Sequence, residues 1–384
     1  MEERHRLGEL AALFLRLGVT AFGGPAAHIA MMHDEVVRRR GWVSEQNFLD
    51  TVGATNLIPG PNSTEVAIHL GWERGRVRGL IVAGVCFILP AALIVGVLAW
   101  AYVRYGDTPE VEGLLYGIKP IVIAIVALAI WRLAPTAIKT RPLAAVGLAA
   151  GAAYLLGLNE LLLMVLGGVA GVAIHGVRHW RAGRLSVWAP LLFVAGPLGR
   201  VVAATKETPD VGLGALFLVF LKIGSVLYGG GYVLLAFLQG ELVDRMGWLT
   251  SQQVLDAVSI GQVTPGPVFT TATFVGYVLA GAPGAVVATV GIFLPSFVFV
   301  GFLGPIVRRM RASDTAGAAL DGVNAAALGL MAAVLVDLAG DALVDVLTGA
   351  VAIAAAIVLW RTKVNSTWLI AAGAAIGLLH AAAT

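Results

Sequence analysis

Two cations, two proline-glycine breaks and a small set of acids are the residues of this sequence that could do chemistry. Arg16 and Lys222 each interrupt an apolar stretch, Phe14-Leu15-Arg16-Leu17-Gly18 and Phe220-Leu221-Lys222-Ile223-Gly224. A cation in such surroundings faces a cavity or a counter-ion, or snorkels to the surface, a route open to Arg16 near a basic N-terminus. Two equivalent cations suit a doubly charged oxyanion. Pro59-Gly60-Pro61 is followed by Asn62, Ser63 and Thr64, and Pro265-Gly266-Pro267 by Thr270, Thr271 and Thr273. Proline stops the incoming helix and opens the next, and glycine lets backbone approach a ligand, so each motif predicts a helix start with free N–H groups that favours an anion. Proline and glycine also occur in membrane helices as plain kinks. The duplication and the flanking polar side chains argue for a site instead.

The double glycines Gly23-Gly24 and Gly229-Gly230 are further breaks, and Asn56 and Gln262 precede the two proline-glycine motifs. Glu35, Asp50, Glu241 and Asp256 are candidates for proton coupling, which needs a buried acid. Ion-paired or solvated roles stay open for them, since Glu35 precedes Arg38 and Asp50 lies on an amphipathic face. Lys119 is a weaker cation candidate because its repeat counterpart is Asn324. His28, His33 and Asp34 do not read as a metal site, because that spacing does not bring both imidazoles to one helix face. Glu65 and His69 could pair on one face. Cys86 is the single cysteine, which excludes an internal disulfide and dithiol redox chemistry. With no phosphate loop and no dinucleotide fingerprint, neither an enzyme nor a cofactor is expected.

The elements that must position these residues come in two copies. From Phe14 to Phe220 the offset is 206, and it also relates Glu35 to Glu241, Gly41-Trp42 to Gly247-Trp248, Asp50 to Asp256 and the two proline-glycine motifs. Beyond a one-residue deletion it becomes 205, pairing Gly71 with Gly276 and Leu89-Pro90 with Leu294-Pro295. The expected units are residues 1–184 and 206–384, joined by 185–205, in which 188–204 could form an extra crossing. Each unit opens with an apolar helix broken at the double glycine. An amphipathic helix follows, started by Ser44 in one copy and by Thr250 with Gln253 in the other, a capping-box pattern. A polar stretch, 62–69, then leads to a long apolar run, 80–103, and three shorter runs close each unit.

Of 384 residues 58% are apolar, 13% are charged and 48 are glycine. This is the composition of an all-α polytopic membrane protein, here with roughly 10–13 membrane segments, some of them broken or re-entrant. The net charge of +3 is too small and too scattered for nucleic acid. No cleavable signal peptide is expected. Lys and Arg accumulate in cytoplasmic loops, and their bias is opposite in the two copies. Arg74, Arg76 and Arg78 face an uncharged stretch at 280–284, Arg132, Lys139 and Arg141 face Asp337, Asp341 and Asp345, and Asn159-Glu160 faces Arg361 and Lys363. After the long run, Arg104 with Asp107, Glu110 and Glu112 faces Arg308, Arg309 and Arg311. Opposite bias predicts halves in opposite orientation, the inverted repeat of secondary transporters, with the substrate near the midplane.

On the duplicated Gly-Gly, Gly-Trp and Pro-Gly-Pro elements, the sequence resembles the chromate ion transporter family in its long, two-half form. The resemblance implies export of chromate across the bacterial inner membrane, driven by the proton-motive force and conferring chromate resistance, with sulfate as competitor. It carries over Asn56, Pro59, Gly60, Pro61, Gln262, Pro265, Gly266 and Pro267 as motif positions, with Arg16 and Lys222 as charge partners. The copies part where Gly24-Pro25 becomes Gly230-Gly231. A carrier of sulfate or another oxyanion with the same fold is the near alternative, and a membrane chromate reductase the distant one. The expected partners are chromate and the lipid bilayer, with a homodimer left open.

Overall fold

The computed structural model describes residues 2–55, 58–106, 108–180, 211–228, 231, 233–302, 313–362 and 364–383. Asn56, Gly229, Gly230, the 188–204 crossing, Asp107, Lys363 and the arginines at 308, 309 and 311 lie outside them. All regular elements among the described residues are helical. The first half contains α1 (Glu2–Thr20), α2 (Gly24–His33, continued as a π-helix over Asp34–Arg39), α3 (Glu45–Thr55), α4 (Asn62–Tyr105), α5 (Pro109–Ala137), α6 (Arg141–Leu155) and α7 (Glu160–Trp180). The second repeats the series. It runs α8 (Leu213–Val226), α9 (Leu234–Leu238, continued as a π-helix over Gln239–Arg245), α10 (Ser251–Val263), α11 (Thr271–Phe302), α12 (Asp314–Ala342), α13 (Val346–Arg361) and α14 (Ser366–Ala383). A single 3-10 turn, Val268–Thr270, precedes α11.

Six of these helices, α4, α5, α7, α11, α12 and α14, are long and apolar enough to cross a bilayer, and α6, α8 and α13 are shorter apolar helices. The capping box expected at Thr250 is formed, with Thr250 accepting from the Gln253 backbone and the Gln253 side chain accepting from Thr250. Ser44 accepts from the Asn47 N–H at 3.3 Å in the first copy. The charge pattern predicts loops at Arg132, Asp337 and Asp341, but Arg132 belongs to α5, and Asp337 and Asp341 belong to α12. The acid-rich and base-rich ends of these helices are helical turns rather than loops.

The stretch expected as a polar approach to the long span is instead a helix that doubles back. Inside α4 the backbone leaves helical geometry at Gly75 (φ −147°, ψ 20°) and Arg76 (φ 50°, ψ −137°), and inside α11 it does so at Ala280 and Gly281. Gly71 lies against Gly79, and Gly276 against Gly284, so closely that a side chain on either glycine would overlap its partner's backbone. Each of α4 and α11 is therefore a short arm (62–74, 271–279) folded onto a long one (77–105, 282–302). The short arm also pairs with the preceding helix. Arg74 stacks on Trp42 at 4.0 Å, while Thr55 donates to Asn62 at 2.6 Å. The α3 helix and residues 62–74 thus form a re-entrant hairpin with Trp42 and Arg74 at its base and Pro59-Gly60-Pro61 at its tip.

The inversion is visible along the long arm of α4. Near its start Gly79 touches the first half's own hairpin, and near its end Tyr102 donates to Asp256 of the second half's hairpin at 2.9 Å. Twenty-three residues of helix separate these contacts, about 35 Å at 1.5 Å per residue. The two hairpins therefore enter from opposite faces, and their tips meet midway. Gly60 N–H donates to the Leu227 carbonyl at 2.8 Å, and Gly266 N–H to the Ala21 carbonyl at 2.9 Å. These are the same bond exchanged between copies. Further out, α5 packs on α14 as α12 packs on α7, through Gly117 against Gly373 and Gly322 against Gly167. Small residues let helices approach closely in a bilayer, where apolar burial between helices gives little drive.

Candidate anion site

Between the halves lies a cavity of about 830 Å³. Three helices begin at it, α2 through Gly23 and Pro25, α4 through Asn62, and α14 through Asn365 and Ser366. The sequence dictates each start. Gly23 takes φ 104°, which glycine alone adopts readily, and Pro25 is pre-set for a first helical turn. Pro61 opens α4. Asn365 caps α14 by accepting from Thr367 N–H at 3.1 Å. Each helix start contributes about half a positive charge. Arg132 is the one charged side chain among the described lining residues, and no carboxylate is among them. Arg132 is exposed, and its guanidinium donates to the Leu359 carbonyl at 3.1 Å. Thr55, Tyr228 and Asn324 add neutral hydrogen-bonding groups. Three helix ends and an arginine complement an anion of about two charges.

Among the described residues the cavity opens at one face. Half-exposed Asn62, Leu128, Leu133, Asn324 and Ser366 line it, whereas their repeat counterparts Val268, Ala333, Leu338, Lys119 and Glu160 are buried. That second face is sealed by polar ties between halves. Lys119 pairs with Asp256 at 2.8 Å, Tyr154 donates to Asp244 at 3.0 Å, and the buried Glu160 carboxyl meets that of Glu241. At the open face Asn324, the counterpart of Lys119, lines the cavity, and Asp50, the counterpart of Asp256, is exposed.

Several residues singled out from the sequence are placed elsewhere. The Arg16 guanidinium lies 2.6 Å from Glu35, and the Lys222 ammonium binds Glu241, which also takes Arg245 at 3.1 Å. Neither cation lines the cavity. The repeated acids neutralise the repeated cations, because each apolar helix passes the π-helix of its own half. Gly23, Gly60 and Asn62 do line the cavity; Gly24 opens α2 beside it with φ 76°. Pro59 and Pro61 flank Gly60 at the tip. Pro265, Gly266 and Pro267 form the opposite tip and do not line the cavity, nor does Gln262. Ser63 is buried and bonds His28 at 3.2 Å, and the same imidazole reaches the Ala21 carbonyl at 3.0 Å. The threonines of the second copy spend their hydroxyls internally. Thr270 and Thr271 donate to Pro267 and Val268 carbonyls at 2.8 Å, and Thr273 pairs with Thr289 at 2.7 Å. His33 bonds Glu45 at 2.8 Å, and His69 lies near Glu73 rather than Glu65, at 3.7 Å. No cluster able to hold a metal occurs among the described residues.

The sequence profile described as "Chromate transporter" matches residues 8–172 and again 214–378, one match per structural half. The chain belongs to the chromate transporter family. It is 33% identical to the chromate transport protein of Cupriavidus metallidurans, over 98% of this chain and 93% of that one. The probable chromate transport protein of Synechococcus elongatus is 32% identical, over 93% and 91%, and the chromate transport protein of Pseudomonas aeruginosa 31%, over 97% and 92%. No solved structure matches the chain. Within the family fold, the two matched stretches fall inside the halves that exchange the Gly60–Leu227 and Gly266–Ala21 bonds. The family's members are transporters rather than enzymes, and this chain is an all-α, multi-pass membrane protein built from an inverted repeat.

Proposed function

We propose that the chain is a secondary active transporter that exports chromate across a bacterial inner membrane, coupled to the proton-motive force, by alternating access of the two halves. The observation that carries this reading is the cavity itself, where three helix N-termini and Arg132 converge with no lining acid among the described residues. A tetrahedral dianion fits that field. The inverted repeat supplies the second state, since exchanging the conformations of the halves would close the present mouth and open the sealed face. Orientation follows from charge. Lys139, Arg141 and Arg361 lie at the mouth and Glu110, Glu112, Asp341 and Asp345 at the opposite face, so the mouth is cytoplasmic by the accumulation of Lys and Arg on that side. A cavity loading from the cytoplasm suits export.

Sulfate has the same shape and charge, so competition rather than geometry separates the two substrates. Purified protein in proteoliposomes should carry radiolabelled chromate across the bilayer, with sulfate competing. Carriage of sulfate with chromate only inhibiting would reject the chromate assignment. Loss of chromate without its crossing the membrane would reject transport in favour of reduction.

A further inference from the structure

The four acids suggested by repetition are poor proton carriers here, because Glu35, Glu241 and Asp256 are held by cations and Asp50 faces solvent. A fifth acid is placed differently. Glu65 is on the first turn of α4, one turn beyond Asn62, and its side chain is completely buried. Its Oε1 accepts from the Ser296 hydroxyl at 3.3 Å, and its Oε2 is buried without a partner among the described residues. Among the described residues it has no ion pair. The carboxyl lies directly beneath Gly60, where a Cβ would overlap it, and Gly60 is cavity floor. A single glycine separates the cavity from this acid.

We propose that Glu65 carries the proton coupled to anion movement, a proposal that rests on reading the cavity as the transport site. An ionised carboxylate buried with one hydroxyl donor and no cation is costly, and a dianion on the other side of Gly60 adds like-charge repulsion. The occupied cavity therefore favours the neutral acid, whose proton comes from water. By reciprocity the protonated acid favours the anion, so the two cross together with one net negative charge, which a membrane potential negative inside drives outward. The ionisable groups around it do not substitute as a counter-ion. Tyr228, from the segment after α8, is a phenol at the cavity wall. On its own helix His69 lies toward Glu73, and on α2 His28 is bound to Ser63 and Ala21. The second half has threonines, Thr270 and Thr271, at the equivalent place, so the coupling group is present once per chain.

The test compares chromate flux driven by a pH gradient with chromate–chromate counterflow in the same proteoliposomes, for the parent and E65Q. The amide copies the neutral acid, so E65Q should keep counterflow within about twofold and lose the response to the pH gradient. A gradient response equal to the parent's, or a parallel loss of both activities, overturns the proposal. Absence of counterflow in the parent would instead reject the cavity reading. If E65Q does not fold, S296A removes the one hydroxyl facing the carboxyl. It should move the pH midpoint of chromate binding relative to the parent, an effect to which the anion's own protonation contributes equally in both proteins. An unmoved midpoint overturns the proposal.

Discussion

Replacing Arg132 with glutamine tests whether the cavity binds its anion by charge. The residue is exposed, lines the cavity and makes one named contact, to the Leu359 carbonyl, so its loss should leave the fold intact. A charge-assisted hydrogen bond to an anion contributes about 2 kcal/mol when partly solvated. Its removal should raise the Kd for chromate roughly 30-fold. Binding should weaken rather than vanish, because the N-termini of α2, α4 and α14 remain. R132K keeps the charge but loses the planar fork, and it should fall between the two. R16Q supplies the contrast. Arg16 is committed to Glu35 at 2.6 Å and lies off the cavity, so its Kd should stay within about twofold of the parent's, as for a substitution that removes no ligand contact. Equilibrium binding of radiolabelled chromate to purified protein measures all three. R132Q within twofold of the parent, with R16Q strongly impaired, would refute the geometry and restore the repeated cations as the site.

Other consequences are equally direct. K119M leaves Asp256 buried with, among the described residues, the Tyr102 hydroxyl as its remaining partner, which should cost about 3 kcal/mol, and K119M/D256N should recover most of it; thermal unfolding with the double variant no better than the single would contradict the pair. Gly266→Ala places a methyl 2.6 Å from the Ala91 Cβ at φ 86°, so it should lower stability by about 2 kcal/mol or more, read as a fall in Tm. Cysteines introduced at Arg76 and Ala282 in a Cys86-free background should label from opposite sides of the membrane. Labelling from one side would end the inverted-repeat account.

Much of this architecture was legible because it is written in local chemistry that repeats. The offset from Pro59-Gly60-Pro61 to Pro265-Gly266-Pro267 located both hairpin tips, and Thr250 with Gln253 marked a helix start that the structure bears out. The turn that ends the re-entrant arm 62–74 was missed because Arg74, Arg76 and Arg78 resemble the loop before a span, and a sharp turn at Arg76 with positive φ has no residue signature of its own. Only the equivalent Gly281 hints at it. Arg132 was missed because a cation near the end of a span reads as a topology signal whether it faces water or a cavity. The pairings of Arg16 with Glu35 and Lys222 with Glu241 carried a usable signal, since cation and acid recur together at the same separation. The asymmetry of the site lies in tertiary packing, which near-identical motifs cannot express.

Labelling of Leu133→Cys and its repeat counterpart Leu338→Cys, each in a Cys86-free background, tests alternating access most directly. Leu133 lines the open cavity and Leu338 is fully buried. Without substrate, a membrane-impermeant maleimide should modify the first from the cytoplasmic face and leave the second untouched. During chromate turnover, modification of the second from the opposite face should rise as that of the first falls. A cysteine at 338 that stays silent through sustained chromate transport would contradict the exchange of the two halves.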